Sequence, residues 1–193
     1  MRHNIRILAL PALLACISAP AMATDYAASA SKYVDEHVRI WATAPEIVAA
    51  IEAQNATNAK LTQVEIDALD KAWRAEITET TQPTITPILS NATSDMLRAK
   101  VDESKGMIVE AFIMDNRGLN VATASLTSDY WQGDEAKFTE TFGKGANAVQ
   151  IGEVEFDESS QIYSVLVSFT ISDPATSAPI GAMTIAFNAE ALE

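Results

Sequence analysis

The chain has 193 residues, enough for one ordinary domain and too few for two large ones. Its 26 acidic residues against 13 basic ones give a formal net charge of −13, which repels phosphate backbones and excludes nucleic acid as the expected partner. One Cys and two His exclude a zinc ribbon, a multi-cysteine disulfide framework and most His-rich metal sites, while 48% hydrophobic residues call for a folded core.

Residues 1–23 read as a secretory signal. Arg2, His3 and Arg6 form a basic start, Ile7 to Ile17 an apolar run too short to span a bilayer, and Ala21-Met22-Ala23 a small-x-small cleavage site. Leu13-Leu14-Ala15-Cys16 also resembles a lipobox, which would make Cys16 a lipid-carrying N-terminus instead. Cleavage after Ala23 removes Arg2 and Arg6 and no acid, so 11 basic residues face 26 acids and the net charge becomes −15. The remaining 24–193 segment then keeps His37 as its one histidine and has no cysteine. No later segment is long and apolar enough for a transmembrane helix, so the expected location is periplasmic.

The first half of that segment has helical periodicity. Tyr26, Ala30, Tyr33, His37, Ile40, Ala44, Ile47 and Ile51 recur three and four apart, which places them on one helical face. Thr43 and Glu46 fit a capping box around Pro45, so two helices are expected, about 25–42 and 44–54. Thr62 with Glu65 is a second capping box, before a helix to about 78 with Ile66, Leu69 and Trp73 inside. A break at 80–87 precedes a further helix, about 87–100.

The second half has strand patterns. Residues 107–114 and 119–125 flank Asp115-Asn116-Arg117-Gly118, a turn in which Gly supplies a positive φ. A mixed segment, 126–145, leads to strands at about 147–156, 161–172 and 180–188, with connections short enough for antiparallel pairing. Val165, Val167, Phe169, Ile171, Met183, Ile185 and Phe187 give these strands a large apolar face, suited to packing under a long helix. Ser164, Leu166, Ser168, Thr170, Ala182, Thr184 and Ala186 make up the other face, read as small and weakly polar. That face either meets solvent or floors a shallow cavity roofed by 126–145.

The long N-terminal helix, then FIMDNRGLNVATAS (Phe112–Ser125), TSDYWQGDEAKF (Thr127–Phe138) and three strands resemble the Cache family of PAS-like extracellular sensor domains, in its single, PDC-like form. The resemblance covers about 25–190. It implies an α+β fold, with a long N-terminal helix and further helices packed on a five-stranded antiparallel sheet. It also implies a small-molecule pocket on the other face, closed by the segment between the second and third strands. Typical members continue through a transmembrane helix into a signalling module, and this chain stops at Glu193, so any signal is expected to pass to a separate membrane receptor or histidine kinase. The amino-acid-binding pattern of double Cache domains sets an Arg close to a Trp-Tyr pair. No Arg stands near Tyr130-Trp131, so that specificity is not carried over.

The expected binding residues are Ser125, Asp129, Tyr130, Trp131 and Lys137 in and beside the roof, and Ser168, Thr170 and Thr184 in the floor. Tyr130 and Trp131 with Asp129 or Asp134 suit an amine held on aromatic faces, unless Trp131 simply plugs the core. Lys137 suits a carboxylate, unless it is a solvated helix lysine. The sequence leaves the ligand's charge open. Asp115 reads as a local turn cap, His37 as a core histidine, and Glu153, Glu155, Asp157 and Glu158 as a solvated acidic patch without a calcium-loop pattern. Asn55-Ala56-Thr57 and Asn91-Ala92-Thr93 match the glycosylation sequon. No nucleophile elbow, phosphate loop or dinucleotide fingerprint is present, so neither enzymatic activity nor a cofactor is expected. Two functions remain: a ligand-binding sensor, or a ligand-free envelope interaction module. Under either, the second apolar line of the first helix (Val34, Trp41, Val48) could serve a homodimer or simply be core.

Overall fold

The computed structural model describes residues 25–157 and 161–192. The signal sequence, its cleavage site and Cys16 lie outside these residues. The element order is α1 (Tyr26–Tyr33), a π turn (Val34–Val38), α2 (Arg39–Ala42), α3 (Pro45–Asn58), α4 (Gln63–Glu76), α5 (Ile85–Leu89), α6 (Ala92–Glu103), β1 (Ile108–Met114), β2 (Asn120–Thr123), α7 (Ala136–Thr139), β3 (Val149–Asp157), β4 (Ile162–Ser172) and β5 (Pro179–Asn188). The five strands form one antiparallel sheet in the order β2-β1-β5-β4-β3. This is the α+β architecture expected from the sequence.

The main core lies between one sheet face and the N-terminal helices. Val165, Val167, Phe169, Ile171, Met183, Ile185 and Phe187 meet Ala30, Val34, Val38, Ala42, Ile47 and Ile51 there. The strand parity was therefore read correctly, and the helical stripe in part: Ala30, Ile47 and Ile51 are core and Tyr26 and Tyr33 pack against it, but the middle of the stripe is not. His37 and Ile40 are exposed, Ile40 by 79%, while Val38 and Ala42 are buried. The cause is the π turn. Buried positions 30, 34, 38 and 42 are four apart throughout, and at about 100° per residue a regular helix would drift about 120° off the sheet over that distance. One wide turn absorbs the surplus residue and keeps one stripe facing inward. The second apolar line is core as well. Val34 is buried, and Trp41 and Val48 pack partly buried against the main cluster.

Two local expectations need correction. The Thr43–Glu46 capping box does not form: α3 begins after Ala44 with Pro45 in its first turn and no side-chain cap. The helix expected at 87–100 is two helices, because Asn91 ends one and caps the next. Its carbonyl oxygen accepts from Ser94 N–H at 2.8 Å, and its Nδ2 donates to the Ile88 and Val121 carbonyls. Asn55 is also engaged, donating to the Ile180 carbonyl at 2.8 Å and accepting from Asn116 N–H. Both sequon asparagines thus hold the fold. The Thr62–Glu65 capping box is complete at the start of α4.

The β1–β2 hairpin joins sheet to helices through Asp115, which is fully buried. One carboxylate oxygen accepts from Arg117 and Leu119 N–H at 2.8 and 3.0 Å. The other accepts from Gln54 and Asn58 of α3 at 3.0 and 2.7 Å. Four donors satisfy a charge that burial would otherwise make costly. Gly118 closes the turn at φ +79, where an added Cβ would meet the Gly133 backbone at 2.5 Å.

Candidate functional site

The opposite sheet face carries a cleft of about 650 Å³. Its floor is Glu110 and Phe112 of β1, Ser164 and Leu166 of β4, and Ala186 of β5. Residues with small side chains leave this volume because nothing large rises from positions 164 and 186. Leu126, Thr127, Ser128, Gln132 and Lys137 form the roof, and Ile77, Glu155 and Phe156 the walls.

Helix α4 fixes the roof. The Asp70 carboxylate accepts from the N–H groups of Tyr130 and Trp131 at 2.9 and 3.0 Å through one oxygen. Its other oxygen pairs with Arg74, which reaches on to Asp129 at 2.9 Å. These carboxylates hold the Arg74 guanidinium above its ordinary pKa, the Asp70 hydrogen bond contributing most. Trp73 donates its indole N–H to the Thr127 carbonyl at 2.9 Å and stacks on Tyr130, ring centroids 5.2 Å apart and nearly parallel. Asn120 donates to both the Thr127 hydroxyl and the Asp129 carbonyl at 2.9 Å. One turn later Glu76 accepts from the Thr84 hydroxyl and from Thr84 and Ile85 N–H, which seats α5. Burial pushes the Glu76 carboxyl up, and these three hydrogen bonds outweigh it, leaving its pKa lowered.

The structure separates the expected binding residues into groups. Lys137 lines the cleft. Its Nζ lies 5.4 Å from the Phe112 ring centroid and is held by Gln132 Oε1 and Glu135 Oε2, each at 3.0 Å. Tyr130 and Trp131 do not line it. Tyr130 is buried against Trp73, and burial, with the Asp115 charge, pushes its phenol up to about 12. Trp131 is half-buried, donates its indole N–H to the Arg117 carbonyl at 2.8 Å, and bridges to Leu119. Asp129 is bound to Arg74 and Ser128. Ser125 is exposed at the entry to the roof segment, outside the cleft lining. Ser168 and Thr184 are fully buried and bond to each other at 2.9 Å. Phe138 and Phe142, stacked at 5.2 Å, pack with Phe112, Met114 and Ala182 on that side of the sheet. Thr170 lines a different, smaller cavity with Arg39 and Ser172.

The floor of the cleft thus lies nearer the β4 start and β5 end than expected. Glu110, Phe112, Gln132, Glu155 and Phe156 were missed. Glu110 was legible in part: it is the lone charge in an apolar strand and shares a face with Phe112, two residues on.

The cavity lies on the sheet face away from the N-terminal helix, under the segment joining the second and third strands. This is the arrangement that the resemblance to PAS-like Cache domains implies. No family model matches the chain, and no curated protein matches it. Solved structures of sensor domains are similar to it. The V. cholerae histidine kinase DctB sensor domain has a TM-score of 0.47 at 12% identity, over 86% of this chain and 53% of that one. The sensory domain of the Campylobacter jejuni chemoreceptor Tlp3 has a TM-score of 0.42 at 12% identity, over 86% of this chain and 65% of that one. The Tlp3 ligand-binding domain in complex with 4-methylisoleucine has a TM-score of 0.41 at 14% identity, over 86% and 61%. The chain therefore spans about half to two thirds of the length of these structures. Among the described residues no helix is long and apolar enough to cross a membrane.

Proposed function

We propose that this chain is a non-catalytic, small-molecule-binding sensor domain of the bacterial envelope. In this reading the 1–23 signal delivers it to the periplasm, and it reports occupancy to a separate membrane signalling protein. The observation that carries the reading is the roofed cleft, with its one lysine set over Phe112. The placement of Lys137 inside and of Tyr130 and Trp131 outside favours a small carboxylate over an amine in an aromatic cage. The ligand's carboxylate would take the place of Glu135 or Gln132 on Lys137, and its apolar part would lie against Phe112, Leu126 and Leu166.

A thermal-shift panel of small carboxylates, amines, amino acids, purines and sugars tests this. A ligand at about 100 times its Kd stabilises by about 2.7 kcal/mol, which raises the midpoint by roughly 5–10 °C in a domain of this size. A carboxylate should give a dose-dependent shift that Lys137→Ala abolishes, with the fold unchanged by circular dichroism. A shift given only by amines, indifferent to Lys137→Ala and lost in Glu155→Gln, would transfer the ligand contact to the acids. A panel without any shift would overturn the sensor reading and leave the ligand-free interaction module.

A further inference from the structure

The two edges of the sheet are unlike. Edge strand β2 has four residues, all buried, and the roof covers its outer side: Asn120 N–H donates to the Tyr130 carbonyl at 3.0 Å, and Gln132 N–H to the Gly118 carbonyl at 2.7 Å. Edge strand β3 has nine residues, and among the described residues nothing lies beyond it in the sheet. Helix α1 lies over β3 and β4 without sealing them. Val149, Ile151, Val154 and Phe156 stay 37–47% exposed, and Tyr163 opposite Phe156 is 54% exposed. Single exposed apolar residues are ordinary, but a row along one strand edge marks a contact surface.

Register assigns the faces. Val149, Ile151, Val154 and Phe156 pair with Phe169, Val167, Val165 and Tyr163, so all four take the helix-covered side, and Phe156, at the rim of the sheet, also borders the cleft. Glu155 pairs with Ser164 and faces the cleft, and Glu153 stands exposed in the bulge between Ile151 and Val154. A strand added here would lay every second side chain beside the apolar row and bring intervening ones beside Gln150, Glu155 and the exposed Glu153. Copies of this chain fit poorly, because β3 paired antiparallel with itself sets Glu153 and Glu155 against their own kind in a chain of net charge −13.

We propose that the β3 edge receives an extended segment of a partner protein as a sixth strand, and that this segment alternates apolar and basic residues. The proposal rests on the sensor reading in one respect. Glu155 and Phe156 belong to both the cleft wall and the edge, so a bound ligand and a docked strand would touch the same two residues.

The test is fluorescence anisotropy of the full chain with a labelled, end-capped heptapeptide alternating Lys and Val. Two controls accompany it: the same peptide N-methylated at alternate backbone nitrogens, and one with Glu replacing Lys. Saturable binding is expected, weakened at least about ten-fold in both control peptides and in the Glu153→Lys/Glu155→Lys variant, whose changes lie on exposed positions. Equal binding of the N-methylated peptide would reduce the effect to charge attraction and overturn the proposal. So would absence of saturation up to about 1 mM peptide, which lies in the weakest range of specific affinities. A homodimer in sedimentation that Phe156→Lys dissolves would assign the edge to a second copy instead. Lys137→Ala, which disables the cleft, should leave peptide binding intact, so the two readings fail separately.

Discussion

Asp70 is the residue on which the roof of the cleft depends most directly, and Asp70→Ala measures that dependence. The substitution strips two charge-assisted acceptor contacts from Tyr130 and Trp131 N–H. It also leaves Arg74 with Asp129 alone. A buried N–H left without an acceptor costs about 1–3 kcal/mol. Tyr130 is buried and pays most of that, while Trp131 is half-buried and recovers part of it from water. The Arg74 side chain is 59% exposed, so its lost pair adds at most about 0.5 kcal/mol. The total is about 3 kcal/mol, large against the stability of a typical domain. Asp70→Asn keeps an acceptor at the same place and should cost about 1 kcal/mol. Urea unfolding followed by tryptophan fluorescence gives the global values, and native-state hydrogen exchange at Tyr130 and Trp131 gives the local ones. An Ala variant within about 0.5 kcal/mol of wild type, with both amides still protected, would refute the anchoring argument, because surface-like substitutions fall in that range.

Two titrations follow. The Glu76 carboxyl is lowered from 4.5 in the folded state, so its contribution is present above that pH and is lost as the pH falls below it. Denaturant midpoints should decline in that acid range, and Glu76→Gln should flatten the decline, with Glu65 and Asp173, also lowered, supplying the remainder. Tyr130 moves the other way. Its phenol is raised from 10 to about 12, so the unfolded chain releases this proton first and stability falls as the pH climbs between those values. Two pKa units correspond to at most about 2.7 kcal/mol. Tyr130→Phe should remove that alkaline loss, read from urea midpoints on both sides of the interval. An equally steep loss in the Phe variant would show that the phenol is not its source.

Much of the sheet was legible because its signals are local. Alternation in Val165–Ile171 and Met183–Phe187 assigned faces correctly, and Asp115 to Gly118 announced its own turn. The helical stripe holds at Ala30, Ile47 and Ile51 and fails at His37 and Ile40, because a π turn obeys a different period from the one used to read it. Asn91 looked like a residue inside a helix; its cap bond to Ser94 N–H is local, but its bond to the Val121 carbonyl, thirty residues on, is not. Tyr130 and Trp131 drew attention as ligand aromatics. Their actual partners, Asp70, Trp73 and Arg117, lie on another helix and across the hairpin, at separations no local pattern encodes. Lys137 lines the cleft, while its walls, Glu155 and Phe156, come from a strand whose approach only the tertiary fold decides.

The π turn in the N-terminal helix is equivalent to a one-residue insertion carried without loss of footing. Asp35 and Glu36 in that turn are exposed. Without one of them the buried positions would be spaced four, three and four, which an ordinary α-helix holds on one side. Chain length and contact surface are therefore separate quantities at this point of the molecule. A residue would be lost there with Ala30 and Val34 before it, and Val38 and Ala42 after it, keeping their places against the strands.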